Sequence, residues 1–316
     1  MDESFGGGDP DVPHVPGVRH RYLSVRGSQL HLAETGVDGS PVLLLLHGFP
    51  QNWFAWREVL TAFGRDRHVV ALDLPGAGWS QPSRHGYSTT ERSRVVVAVL
   101  EELGIDKADI AGHDWGAWLA FRVALEAPDR VRRLVGISEL HPWPLQRRLV
   151  PNLWRMWVTA LFETPGIGAS IQRRRRAIRW FLSRDASDPG LWTDELVDAY
   201  GRVAADRERA QAGQQLHAAF VRHDIIRLVL RRDHRREFAT PTLLIAGEQD
   251  AYVPPRLMAL PRRRSEVVRV QTISGGHFLL DENPAGVIEG LRSHFLGRRE
   301  SPQKPDCTPV AASDWR

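Results

Sequence analysis

The stretch Gly112-His113-Asp114-Trp115-Gly116 decides how the rest of the chain is read. Ahead of it, Ala108–His113 has the length and apolar character of a buried strand. Behind it, Asp114–Leu125 has helical spacing. Small residues two before and two after Asp114 let the chain turn sharply from strand to helix. Such a turn lifts the middle side chain to the carboxyl edge of a parallel sheet, where ligands bind in open α/β folds. The backbone N–H of Trp115 then lies at a helix N-terminus, ready to meet an oxyanion.

Outward from this turn the pattern repeats. Pro41–His47 and His68–Asp73 are continuous apolar strands of the kind buried on both faces of a parallel sheet. Trp53–Phe63 and Thr89–Leu103 carry helical spacing, the second capped by Ser88 or Thr89. Val131–Ser138 is a further strand, and two short alternating segments, 18–25 and 29–35, fit a leading hairpin. The alternation predicts an α/β fold with a mostly parallel, doubly wound sheet. From Glu139 to about Glu237 it stops, and only Trp- and Arg-rich helical segments appear. Alternation resumes with Pro241–Gly247, Val267–Ser274 and a last helix over Pro284–Phe295. We therefore expect a core of residues 18–138 and 238–299, an inserted all-helical cap over 139–237, a disordered leader over 1–17 and a disordered tail over 300–316.

Composition narrows the function classes. The 316 residues are 42% hydrophobic and 25% charged, as in ordinary globular chains. Cys307 is the only cysteine, which excludes a disulfide scaffold and fits a reducing compartment. No apolar run approaches bilayer length, and the acidic N-terminus lacks signal-peptide features, so a cytoplasmic location without membrane attachment is expected. The isoelectric point of about 9.7 suggests nucleic acid, but the net charge is only +4. All but two of the 42 basic residues are arginine, Lys107 and Lys304 being the exceptions. The arginine runs are short, separated and without interleaved aromatics, so no nucleic-acid partner is expected. No CxxC, His-Glu-x-x-His or phosphate-cradling glycine loop occurs, so neither metal nor cofactor is expected. Oligomeric state is not legible.

Three elements in chain order carry the chemistry: Asp114 at the turn, Asp250 in Gly247-Glu248-Gln249-Asp250, and His277 in Ser274-Gly275-Gly276-His277-Phe278. His47-Gly48-Phe49-Pro50 follows the leucine-rich strand and places the N–H of Phe49 as a second oxyanion donor beside that of Trp115. Nucleophile, acid, histidine is the order of the α/β-hydrolases. The blocks HGFPQNWFAWR (47–57), DLPGAGWS (73–80), GHDWGA (112–117) and GHFLLDENP (276–284) resemble the soluble epoxide hydrolase branch of that superfamily, over roughly residues 18–298. The resemblance implies an aspartate nucleophile that opens an epoxide to an alkyl ester. Water activated by His277 then hydrolyses the ester, with Asp250, or alternatively Glu139 after the strand before the cap, as relay acid. His47 and His113 are read as structural.

The cap departs from the family, whose epoxide hydrolases carry two tyrosines over the nucleophile. The segment 153–159 resembles the first tyrosine site, with Trp157 or Val158 in its place. The segment 212–220 resembles the second and holds His217. Trp157 and His217 are therefore the candidate donors to the epoxide oxygen. Cap tryptophans (Trp143, Trp154, Trp157, Trp180, Trp192) hint at an aromatic or polycyclic small-molecule substrate. Two other readings compete: a dehalogenase with the same aspartate chemistry, and a non-hydrolytic ligand-binding homologue.

Overall fold

The computed structural model describes residues 12–37 and 39–297. The expected leader is thus covered only from residue 12, and the expected tail, with Cys307, lies outside the described residues. Eight strands form one sheet: β1 (Arg19–Val25), β2 (Ser28–Thr35), β3 (Val42–Leu46), β4 (His68–Leu72), β5 (Ala108–His113), β6 (Val131–Ile137), β7 (Thr242–Gly247) and β8 (Val268–Ile273). Their spatial order is β1-β2-β4-β3-β5-β6-β7-β8. β2 pairs antiparallel with both β1 and β4, and every other pair is parallel. The winding reverses on either side of β3, which opens a crevice at the carboxyl ends of β3 and β5.

Strand periodicity explains the two layers of core. Leu44 and Leu46 pack with α2 (Thr89–Glu102) and α3 (Trp115–Glu126), through Val95, Val96, Val99, Trp118 and Phe121. Leu43 and Leu45 point to the opposite face, against Val59 and Leu60 of α1 (Arg57–Phe63) and residues of the last helix. The expected helix over Trp53–Phe63 is split: Trp53–Trp56 is a 3₁₀ turn, started by Asn52, whose side chain accepts from the Phe54 N–H. Ser88 caps α2 by accepting from the Glu91 N–H.

Between β6 and β7 the described residues form helices and no strand: α4 (Gln146–Leu149), α5 (Trp157–Glu163), α6 (Ile167–Gln172), α7 (Arg175–Arg184), α8 (Asp194–Ala204), α9 (Arg207–Ala219) and α10 (Ile226–Val229), with a π-helical turn at Phe220–Ile225. Two more, α11 (Leu279–Glu282) and α12 (Pro284–Leu296), follow β8. The insert is bonded to the sheet on both sides. Ile178, Leu182, Trp192 and Tyr200 join the core of α1 and α12, while Trp143, Leu149 and Phe220 join that of α2 and α3. Among the described residues no helix is long and apolar enough to cross a membrane.

Candidate active site

Asp114 stands alone at the top of β5, with φ 49° and ψ −124°. A non-glycine residue at positive φ is strained, and such strain is held only where the surroundings enforce it. Two close approaches enforce it here. A Cβ on Gly116 would lie 2.1 Å from the Leu46 carbonyl oxygen, and one on Gly48 would lie 2.5 Å from Cβ of Asp114. The helix therefore begins at Trp115, and Asp114 makes no capping hydrogen bond with its side chain. An aspartate at a helix start is ordinarily a cap; this one has its carboxylate turned to other work.

The carboxylate is held at both oxygens. The Phe49 N–H donates to Oδ2 at 2.9 Å, and Nε2 of His277 lies 3.5 Å from Oδ1. On the far side of the imidazole, Nδ1 of His277 is 3.0 Å from Oδ2 of Asp250, whose other oxygen accepts from the N–H groups of Tyr252 and Val253 at 2.9 and 2.7 Å. The loop is fixed from the insert as well, the His277 N–H donating to the Asp185 carbonyl at 2.8 Å. All three side chains are buried. Burial alone would neutralise Asp114 and His277, but the pairing wins. Asp250 and Asp114 hold the imidazolium of His277 well above its ordinary range, and the His277 charge and hydrogen bond keep Asp114 below the usual carboxylate range.

Asp250, rather than Glu139, faces Nδ1. Glu139 accepts from the Leu140 N–H at 2.6 Å and lines a small cavity with Asp114, Trp115, Asn152 and Tyr252. Burial, and then the negative charge of Asp114, push its carboxyl up to about 8. His47 and His113 brace loops, as expected. Nδ1 of His47 bonds the Gly48 carbonyl at 2.9 Å and its Nε2 accepts from the Leu74 N–H at 3.0 Å, while His113 reaches the His277 carbonyl at 2.8 Å.

The two expected cap donors are placed otherwise. Trp157 is 49% exposed; its ring packs on Trp180, with the Arg184 guanidinium 5.6 Å from its centroid, on the outside of the insert. The Val158 side chain lies outside the described part. His217 does reach the site, its ring against Phe49 and Trp115 at 4.6 and 5.1 Å. However, Nδ1 is committed to the Gly213 carbonyl at 2.7 Å, and burial pushes the ring down to about 4. A neutral imidazole with its proton on Nδ1 presents a lone pair at Nε2, so it accepts rather than donates. The tryptophan argument for an aromatic guest weakens in the same way. Trp154 and Trp180 are exposed, Trp143 and Trp192 belong to the core, and none lines the cavities flanking Asp114.

Comparison with known proteins places the fold in a family. The family with the α/β-hydrolase fold matches residues 41–284, and the chain belongs to it. It is 28% identical over 291 residues to mouse epoxide hydrolase 4, covering 88% of this chain and 79% of that one. A soluble epoxide hydrolase from Corynebacterium is 28% identical over 296 residues, covering 89% and 99%. Among solved structures, Cfl2 from Burkholderia cenocepacia superposes with a TM-score of 0.76 at 30% identity, covering 88% of this chain and 96% of that one.

Proposed function

We propose that the protein hydrolyses epoxides to vicinal diols through an ester on Asp114. The observation that carries this reading is the division of labour between the two carboxylate oxygens. Oδ2 is tied to the Phe49 N–H, with the Trp115 N–H also acting on the carboxylate. That leaves Oδ1, on the His277 side, to attack carbon from behind as the ring C–O bond breaks. Oδ2 becomes the ester carbonyl oxygen, already inside its oxyanion hole.

The departing oxygen needs a proton, and with Trp157 outside and His217 an acceptor, Glu139 is the group we assign. It keeps its proton near neutrality and shares a cavity with Asp114. Esterification also removes the negative charge of Asp114, which lowers the affinity of His277 for its proton. That proton replaces the one Glu139 gave up, and the neutral imidazole becomes the base that draws a proton from water. Hydroxide adds to Cγ of Asp114, charge collects on Oδ2, and collapse expels the diol alkoxide, which takes the proton of Glu139. The proton that the added hydroxide leaves on the Asp114 carboxyl then passes to Glu139 and restores the starting state.

Repeated turnover of styrene oxide in ¹⁸O water tests the reading. Label is expected in the Asp114 carboxylate after the first cycle. Diol formation with Asp114 unlabelled would mean direct attack by water and would overturn it. A parallel bromoalkane panel, read as bromide release, is expected to stay silent.

A further inference from the structure

A second cavity opens on the other side of Trp115, between the sheet edge and the insert, with an interior of about 50 Å³ behind an open mouth. Phe49 and Trp115 form its inner wall beside Asp114, Leu74 and Leu216 give it apolar surface, and no Asp or Glu lines it. Two arginines do. Arg209, partly exposed, donates to the Gly78 carbonyl at 2.6 Å, whereas Arg92 is only 3% exposed.

Arg92 is in the wrong place for a surface cation. On α2 the buried stripe runs through positions 92, 95, 96 and 99, the i, i+3, i+4, i+7 pattern of a core-facing helix. Three of these are valine, and the first is arginine. Among the described residues its guanidinium makes no hydrogen bond and no ion pair, and its Nη2 is buried without a partner. The carboxylates whose charge reaches it are Asp224 and Asp114. The first accepts from the Thr89 hydroxyl and the second from the Phe49 N–H. Burial lowers Arg92 only to about 10, so it stays charged at neutral pH. Facing the same cavity from α6 is Gln172, 1% exposed, whose Nε2 is also buried without a partner.

A buried cation without a bonded counter-ion costs several kcal/mol. Both unpartnered groups are N–H donors, in a wall that also holds His47, Gln51, Asn52, Tyr200 and Arg209 but no carboxylate. We propose that Arg92 and Gln172 form a carboxylate-binding subsite beside Asp114, and that the substrate is an epoxide carrying a carboxylate at the other end of a short alkyl chain. The epoxide half of this statement rests on the hydrolase reading above; the carboxylate half does not. The planar fork of an arginine suits a carboxylate's two oxygens, and anchoring that end holds the ring against Asp114.

The test uses ω-epoxyalkanoates from hexanoate to decanoate, each beside its methyl ester. The acids are expected to exceed the esters in kcat/KM by about 10- to 100-fold, as a charge-assisted hydrogen bond allows. Arg92→Met keeps the length of the side chain without its charge, and should bring the acid-to-ester ratio close to one; Gln172→Leu should reduce it partway. Equal rates for acid and ester in the wild type, or a parallel fall of both in Arg92→Met, would overturn the subsite. Calorimetric titration of octanoate into the full-length chain is independent of turnover. Heat of binding is expected in the wild type and absent in Arg92→Met, with a thermal melt showing that the variant is folded. Octanoate binding through Arg92 without turnover of any epoxide would sink the hydrolase reading and leave the subsite standing. Turnover of acid and ester alike, with no octanoate binding, would do the reverse.

Discussion

The phenol of Tyr200, on α8 of the insert, donates to the carboxylate of Asp281, four residues beyond His277, at 2.9 and 3.1 Å to its two oxygens. Arg57 and Gln51, from the loop and helix after β3, reach the same carboxylate, each at 2.7 Å. One buried acid thus ties the helical insert to both loops that carry the site. Tyr200→Phe leaves that carboxylate short of a donor in a dry position, and should cost about 1–3 kcal/mol. Urea titration checks it; an unchanged midpoint would show that the insert is held by packing alone.

His277→Gln removes the base of the second half-reaction while sparing Asp114. Incubated with styrene oxide, the variant should accumulate a species of enzyme mass plus substrate mass. An inactive variant with no adduct would place His277 in ester formation instead. Asp250→Asn should slow ester hydrolysis more than ester formation, because Asp250 acts only through the imidazole it orients.

The reaction should have an alkaline limit if Glu139 protonates the departing oxygen as proposed. Its carboxyl is protonated in the folded chain up to about pH 8, so ester formation should fall as pH rises through that value, when the donor is lost. Glu139→Gln should lower the rate of adduct formation by about 10²-fold or more and abolish that limb. Stopped-flow tryptophan fluorescence, with the His277→Gln background to isolate the first step, reads both. A limb that persists in the glutamine variant belongs to another group.

Acid should unfold the chain early. His20, His113, His141, His217 and His294 are each pushed down to about 4, mainly by burial. In the unfolded chain they titrate near 6.5, so between those values the unfolded state binds more protons. Stability is therefore intact above pH ~6.5 and drains as pH falls toward ~4. Glu139, raised when folded, opposes this from about 8 downward, and the buried carboxyls of Asp185, Asp224 and Asp281, also raised, oppose it lower on the scale. The five histidines, joined by buried His47, outnumber them. Urea midpoints measured at pH 7 and pH 5 should differ clearly, the lower pH giving the lower value.

What was legible in the sequence follows from the range of the interactions involved. The turn at Asp114 is set by residues within two positions of it, and its partners stand at the ends of strands whose periodicity is strong. Asp114, His277, Asp250 and the Phe49 N–H, which the structure brings together, could therefore be picked out as a candidate site before any coordinates. The insert was legible only as helical. Which side of α5 or α9 faces the sheet is decided by packing between helices, so Trp157, chosen from a local resemblance, turned outward, and His217 arrived with its proton already spent on Gly213. Arg92 did leave a trace, a charge at the head of the stripe completed by Val95, Val96 and Val99. That trace gains meaning only once α2 is seen to meet the cavity beside Trp115. Tyr200 shows the same limit: its partner is 81 residues away, and nothing near it announces the bond.

The contact between Gly116 and the Leu46 carbonyl has a further consequence. Phe49 follows the end of β3 by three residues, and the helix start beside Asp114 rests on the last residue of that strand. The Asp114 carboxylate and the Phe49 N–H are thereby gauged from one common datum, which no helix of the insert supplies. A displacement of the insert would widen the approach to Asp114 without changing the spacing between those two groups. To that extent entry and attack are set by different parts of the chain: the helices of the insert shape the approach, while the placing of Asp114 against the Phe49 N–H stays with β3 and β5, and only the His277 loop is shared between them.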